Sequence, residues 1–247
     1  MKLKSLISKY RLYISPLFLA RYYNLNCVKE TVDKYKFRGT VLDVGCGDKP
    51  YKYLFKNSTD YKGIDFKEHS TNNCFPFSEF PDYYFPKDYA KTFRLPFKNN
   101  QFDHAVAFQV LEHHQDPEKM FSEIFRVVKK GGYVLITAPF IGGIHGEPDD
   151  YQRYTKYGLM VRAKKYGEVV IIKEQGSVFS VISTLFGELL IKFTGKSKLH
   201  YIVGMLVFPP FLLYSYLVLV LDKIIKSDII FINYLILIKK RKVQFEG

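Results

Sequence analysis

The sequence predicts an α/β protein built on a mostly parallel sheet. From residue 40 to 139, short apolar runs ending in glycine, acid or proline alternate with amphipathic stretches. Such alternation makes the helices crossovers between parallel strands. The first apolar run leads straight into a Gly-x-Gly turn, the kind of turn that lets a backbone approach a ligand at the carboxyl edge of such a sheet. The length also fits: 247 residues, 47% hydrophobic and 25% charged, suit one large domain with an appendage and exclude a disordered or collagen-like chain.

In chain order, residues 1–39 form a basic N-terminal segment. Leu3, Leu6, Ile7 and Tyr10 recur at helical spacing beside Lys2, Lys4, Lys9 and Arg11. This reads as an amphipathic helix, either lying on a membrane or packed on the domain. Lys9 and Arg11 break the apolar run and Pro16 follows, so no secretory signal is expected. The core is expected over 40–174. Its strands are TVLDVG (40–45), YKGIDF (61–66), FDHAVAFQVL (102–111), YVLITAP (133–139) and EVVIIKE (168–174). A helix is expected to start at Asp48-Lys49-Pro50 and another over 155–167. Between the third and fourth strands the punctuation is full. Asp116 can cap a helix, Pro117 fits its first turn, Phe121, Ile124, Phe125 and Val128 make one apolar face, and Gly131 suits its stop.

Residues 175–228 differ in character. VFSVISTLFGELLI (178–191) carries one charge, Glu188, and YIVGMLVFPPFLLYSYLVLVL (201–221) carries none. The second run has the length of a membrane span, but Pro209-Pro210 is expected to split it into helical pieces of ~12 Å and ~17 Å. Residues 229–247 hold a last strand, IIFINYLILIKK (229–240), and a basic tail. If that strand rejoins the sheet, one straight crossing is excluded. A shallow re-entrant hairpin, a pair of crossings, or a dry lid or dimer interface remain. Lys192, Lys196, Lys198, Lys223 and Lys226, with Lys239-Lys240-Arg241-Lys242, favour contact with anionic headgroups.

The net charge of +13 points to an anionic partner. The three cysteines, Cys27, Cys46 and Cys74, form no Cys-x-x-Cys and cannot all pair, which favours a reducing compartment.

The most informative stretch is Val41-Leu42-Asp43-Val44-Gly45-Cys46-Gly47. The third glycine of a dinucleotide fingerprint would fall at Pro50, which weakens a pyrophosphate site. Asp65 ends the next strand, where an acid accepts hydrogen bonds from ribose hydroxyls. Asp43 could face a cationic part of a ligand. These residues, with LPFKNNQFDHAVAFQVLEH and RVVKKGGYVLITAP, resemble the class I S-adenosylmethionine-dependent methyltransferases in order and spacing over 40–139. The resemblance implies a seven-stranded Rossmann-like sheet whose last strand is antiparallel, lies between strands five and six, and follows the apolar helical insertion. It implies S-adenosyl-L-methionine as cofactor. Asp43, Gly45 and Gly47 would line its amino-acid end, Asp65 would bind the ribose, and Phe66 would flank the adenine. Phe108 and Gln109 would sit beneath the donor. Lys91-Thr92 stands where many relatives carry Asp-Ala for the adenine amino group, and Asp88 could substitute.

A hydroxyl acceptor benefits from a positioned general base. Candidates are His113 and His114 in LEHH, and above all His145 in GGIHGEPDDYQRYT (142–155). This segment resembles the H-x-x-P-x-D-x-x-R-Y/F-T stretch of methyltransferases from surface-polysaccharide and lipid-linked glycan pathways. Glu147, Asp149, Tyr151, Arg153 and Tyr154 would then bind a sugar. The plainer alternative is a helix start capped by Asp149 or Asp150, with Arg153 in a local ion pair. No metal is assigned: Glu112, His113 and His114 lie together but form neither H-E-x-x-H nor a Cys pair, and the resemblance leaves a metal open, since some quinone-directed relatives use one near this motif.

The function expected is O-methylation of a glycan or lipid-linked acceptor by a cytoplasmic protein, peripheral or re-entrant at the inner face of the cell membrane. Quinone, lipid or RNA methylation, or a non-catalytic membrane-bound binding subunit, are the alternatives. Nucleic acid is disfavoured because the basic residues are spread over both ends and the insertion, with no aromatic-plus-basic module.

Overall fold

A computed structural model describes residues 14–67, 79–86, 89–194, 197–225 and 229–241. The expected helix over residues 2–10 and Asp88 lie outside them. Seven strands form one sheet: β1 (Gly39–Val44), β2 (Ser58–Asp65), β3 (Tyr83–Tyr84), β4 (His104–Phe108), β5 (Tyr133–Pro139), β6 (Gly167–Gln175) and β7 (Asn233–Lys240). Their order is β3-β2-β1-β4-β5-β7-β6. The first five run parallel, and β7 pairs antiparallel with both β5 and β6. This is the class I methyltransferase sheet, with the helical insertion before its last strand.

The pleat divides the core between two faces. Val41, Val106, Leu135 and Leu237 meet Val28 and Val32 of helix α1 (Phe18–Tyr35) on one face. Leu42, Ala105, Ile136 and Ile236 meet Phe121 and Ile124 of α3 (Pro117–Val127) and Leu159 of α4 (Lys156–Tyr166) on the other. Burial on both faces is why these strands read as continuous apolar runs. Helix α3 (Pro117–Val127) begins as expected, with Asp116 Oδ1 accepting from the Lys119 amide at 3.1 Å. α2 (Tyr89–Thr92) is a single turn.

Three expectations are corrected. No helix begins at Asp48-Lys49-Pro50; a 3₁₀ turn at Lys52–Leu54 replaces it. Lys49 sits at φ +52, outside the helical region, and the chain turns there toward β2. The third predicted strand stops at Phe108 because Gln109 takes φ +55. Two-residue β3 is too short to show alternation and was not foreseen.

The largest correction concerns the insertion. It forms α5 (Val178–Thr194) and α6 (Lys198–Ile224), a helical hairpin. α6 runs unbroken through Pro209-Pro210 and is ~40 Å long at 1.5 Å per residue. The φ of proline is helical, and both prolines are exposed, so their rings point away from the hairpin seam. Small residues contribute much of the buried surface of the hairpin, beside Val181, Leu190, Phe211 and Val218. Ser180, Ser183, Thr184 and Gly187 of α5 are buried, as are Gly204 and Ser215 of α6, and the Ser183 and Ser215 hydroxyls lie 3.0 Å apart. A Cβ at Gly187 would stand 2.1 Å from the Pro16 carbonyl oxygen. Gly187→Ala is therefore expected to destabilise the protein by about 1–3 kcal/mol, the usual cost of overpacking. A lowered thermal midpoint that a Gly187→Ser variant shares would be the measured result.

Candidate active site

The site lies at the carboxyl edge of the sheet, where β1 and β4 diverge. Gly45 (φ +71) and Gly47 (φ +51) hold the left-handed turns that bring the loop after β1 back toward β2. Gly45 and Cys46 donate their amides to the Ile64 carbonyl. Asp65, at the tip of β2, then ties the loop down. Its Oδ2 accepts from the Gly47 amide at 2.5 Å and its Oδ1 from the Phe66 amide at 2.6 Å.

A cavity of about 140 Å³ lies in front of this turn. Gly45, Asp65, Phe66, Gln109 and His113 line it, with His114, Val110, Phe85, Tyr89 and Met120. Four of the eight expected cofactor residues are thus brought together. Gly47 stands beside them and faces open space, since a Cβ there would meet nothing within 4 Å. Asp43 and Phe108 lie elsewhere. The pleat turns both toward the α1 face, where Phe108 packs on Tyr51 with ring centres 4.5 Å apart. Asp43 Oδ2 accepts from the Tyr61 hydroxyl at 2.6 Å, while its Oδ1 has no protein partner. Burial pushes the Asp43 carboxyl up to about 7.

The cavity's walls suit a nucleoside: an acid at the strand tip, an amide side chain from Gln109, and an aromatic wall. Phe66, Phe85 and Tyr89 lean on one another, with Phe85 and Tyr89 stacked at 4.2 Å. Its volume falls below the ~300–1,000 Å³ of small-molecule pockets. The donor set nonetheless suits S-adenosyl-L-methionine, with Asp65 at the strand tip and the aromatic wall beside it. Phe85 and Tyr89 were missed by the sequence reading, although the aromatic density of residues 80–93 was a usable signal.

The acceptor side is a loop, residues 141–155, stitched to the turn after β4. His113 Nδ1 and the Asp149 carbonyl oxygen are 2.5 Å apart. The Tyr151 amide donates to the Glu112 carbonyl at 2.9 Å, and the Tyr154 hydroxyl donates to the Leu111 carbonyl at 3.1 Å. Tyr154 is buried, so it anchors the loop rather than facing a sugar. Arg153 grips Asp150 through both nitrogens and donates to the Gly143 carbonyl at 3.0 Å. That pair holds the Asp150 carboxyl well below the usual carboxylate range. The local ion pair foreseen as the plainer alternative is present, but the cap is not: Thr155 caps α4, accepting from the Gly158 amide. His145, Glu147, Asp149 and Tyr151 remain exposed on the loop. The Tyr151 hydroxyl donates to Asp149 Oδ1 at 2.6 Å and accepts from Gln115 at 2.8 Å.

Between cavity and loop lie Glu112 and His113, adjacent in the chain, and the remote His145. The rings of His113 and His145 meet edge to face at 4.9 Å. Glu112, fully buried, has both carboxylate oxygens without a protein partner. One ligand atom from each of Glu112, His113 and His145 falls within 4.8 Å of the others, so the trio could hold a divalent cation. The sequence set Glu112 beside His113 and His114, but nothing in that spacing marks it as buried or brings His145 to it. Burial raises its carboxyl to about 8 and lowers the pKa of His113. A carboxyl raised on folding binds its proton more tightly in the folded chain, so stability falls as pH rises from about 4.5 to about 8. Glu112→Gln, which imitates the protonated form, is expected to melt about 3 °C or more above the parent at pH 8.5 and level with it at pH 5. A pH-independent offset in paired thermal melts would refute this assignment.

One contact reaches the site from the hairpin. Glu188 Oε2 of α5 accepts from the Gly143 amide at 2.6 Å. The lone charge of that apolar run is therefore spent on the acceptor loop.

Residues 42–136 match the family described as the methyltransferase domain. Over 105 residues the chain is 32% identical to uncharacterized protein MJ1123 of Methanocaldococcus jannaschii, covering 40% of this chain and 50% of that one. The chain thus spans about half the length of this relative. Its fold superposes on protein BH2331 of Bacillus halodurans with a TM-score of 0.52 at 16% identity, covering 87% and 99% of the two chains. It also superposes on phosphoethanolamine N-methyltransferase 2 of Haemonchus contortus in complex with S-adenosyl-L-methionine, with a TM-score of 0.50 at 17% identity, covering 87% and 52%. Domain match and topology together define the class: a methyltransferase domain set in the class I methyltransferase fold. The particular domain carried by this chain is the methyltransferase domain at residues 42–136.

Proposed function

We propose that this chain methylates a hydroxyl of a glycan or lipid-linked acceptor at the cytoplasmic face of a membrane. The observation that carries this reading is the junction at His113. The same imidazole lines the cavity with Gly45, Asp65 and Phe66 and is bonded through Nδ1 to the loop bearing His145, Glu147, Asp149 and Tyr151. Donor pocket and acceptor loop therefore share one side chain.

When bound, S-adenosyl-L-methionine supplies a methyl group on a positively charged sulfur, open to in-line attack. The protein's part is to place the acceptor oxygen, exclude water and take a proton. His145 Nδ1 lies 3.0 Å from the Gly143 carbonyl oxygen. Donation there fixes the tautomer and leaves Nε2 as a proton acceptor. Exposed Tyr151 offers a ring face for a sugar, and Glu147 and Asp149 offer acceptors for its hydroxyls. Arg153, bound to Asp150 and Gly143, holds the loop in register. The membrane setting rests on the apolar hairpin bonded to that same loop.

The experiment is mass spectrometry of membrane glycolipid extracts incubated with protein and cofactor. A product heavier by one CH₂, absent when S-adenosyl-L-methionine is omitted, is the expected result. Turnover on free nucleic acid or quinone with none on glycolipids would overturn the acceptor assignment.

A further inference from the structure

The hairpin is inverted relative to a helix pair of a water-soluble core. Small and polar residues make up much of its buried surface, beside Val181, Leu190, Phe211 and Val218, whereas most of its large apolar side chains point outward. On α5, Ile182, Leu185, Phe186 and Leu189 recur at i, i+3, i+4 and i+7 and are all exposed. On α6, Leu206 and Leu213 are each 73% exposed, and Leu217 and Ile224 continue the surface. In water this pattern is costly at every position, since amphipathic helices turn their apolar stripe toward the core. In lipid it is the expected one, because small residues let helices approach and serine hydroxyls join them across the seam.

We infer that the α5–α6 hairpin is a monotopic anchor, seated in the interfacial region of an anionic bilayer, and that it holds the acceptor loop at the membrane surface through Glu188. Three observations favour lipid over a second copy of the chain. Exposed Lys192, Lys198 and Lys223 bracket the apolar surface at the tip and at the base, placed to reach phosphates while the side chains between them sit among acyl chains. The exposed apolar residues run along both helices, from Ile182 of α5 to Ile224 of α6. Both ends of the hairpin return to the sheet, after β6 and before β7, so the domain stays on one side. α5 lies along the domain, with Gly187 against Pro16 and Glu188 on Gly143, which favours a hairpin lying in the interface over one that projects across the bilayer. Asp222 fastens the far end, accepting from the hydroxyls of Tyr23 and Ser177. This inference deepens the proposed function by naming the surface at which the acceptor is met, and it stands or fails on readouts of its own.

The test is flotation of the full chain with vesicles of phosphatidylcholine alone or with one-third phosphatidylglycerol. The protein should float with the anionic vesicles, and at least half should stay bound in 1 M salt, since insertion resists the screening that releases surface-bound proteins. A variant carrying Leu206→Asp and Leu217→Asp, both at exposed positions, should stay in the dense fraction. Its affinity for S-adenosyl-L-methionine should remain within twofold of the parent, which reports an intact domain. Glu188→Ala should still float, with faster amide exchange across residues 142–151. Parent protein that stays dense with both vesicles overturns the inference. So does a vesicle-free dimer that the double variant converts to a monomer, for then a second copy covers this face. Loss of cofactor binding by the parent would instead sink the proposed activity and leave the anchor standing.

Discussion

Asp65→Ala is expected to weaken S-adenosyl-L-methionine binding at least 100-fold, with isothermal titration as the measurement. The carboxylate does two things at once. It accepts from the amides of Gly47 and Phe66, and it lines the cavity. Hydrogen bonds to a charged group contribute about 1.5–3 kcal/mol each, and donors left unpaired when the acceptor is removed cost about as much. Two such amides account for the expected factor before any contact to the ribose is counted. Asp65→Asn keeps one acceptor oxygen and should recover part of the affinity. If Asp65→Ala binds cofactor as the parent does, the turn after β1 is not the donor site.

The second large effect falls on turnover. His145→Ala is expected to lower kcat by 10²–10⁴, the usual contribution of a positioned general base, while cofactor affinity changes less than threefold. His145 is exposed and belongs to the acceptor loop, so its removal leaves the cavity walls in place. His113→Ala should act on both steps, because His113 lines the cavity and also bonds the Asp149 carbonyl. Release of S-adenosylhomocysteine in single turnovers on glycolipid extract, with parallel titration of cofactor, separates the two. If His145→Ala lost cofactor binding, the division between donor and acceptor residues would be refuted. Equal turnover in the two proteins would move the base elsewhere, Glu112 being the nearest candidate.

Most of the strands were legible because buried parallel strands announce themselves as apolar runs, whereas the antiparallel last strand between strands five and six was implied only by the family resemblance. Gly45, Gly47 and Asp65 were legible because the turn chemistry is local: a left-handed backbone and an acid at a strand tip are written in the residues that make them. Side chains whose placement depends on the pleat were harder. Phe108 and Gln109 are adjacent, yet one enters the core and the other the cavity.

What one-dimensional pattern could not supply was contact between distant segments. Glu112, His113 and His145 converge because β4 and β5 are neighbours and both end at the same edge. Glu188 reaches Gly143 because the hairpin folds back across that edge. The two prolines of α6 looked like a break, since propensity weighs only the lost hydrogen bonds. The packing of buried residues on either side of them keeps the helix whole. Local chemistry is encoded where it acts. Burial, convergence and the outward turn of the hairpin's apolar residues arise only when remote parts of the chain share the same space.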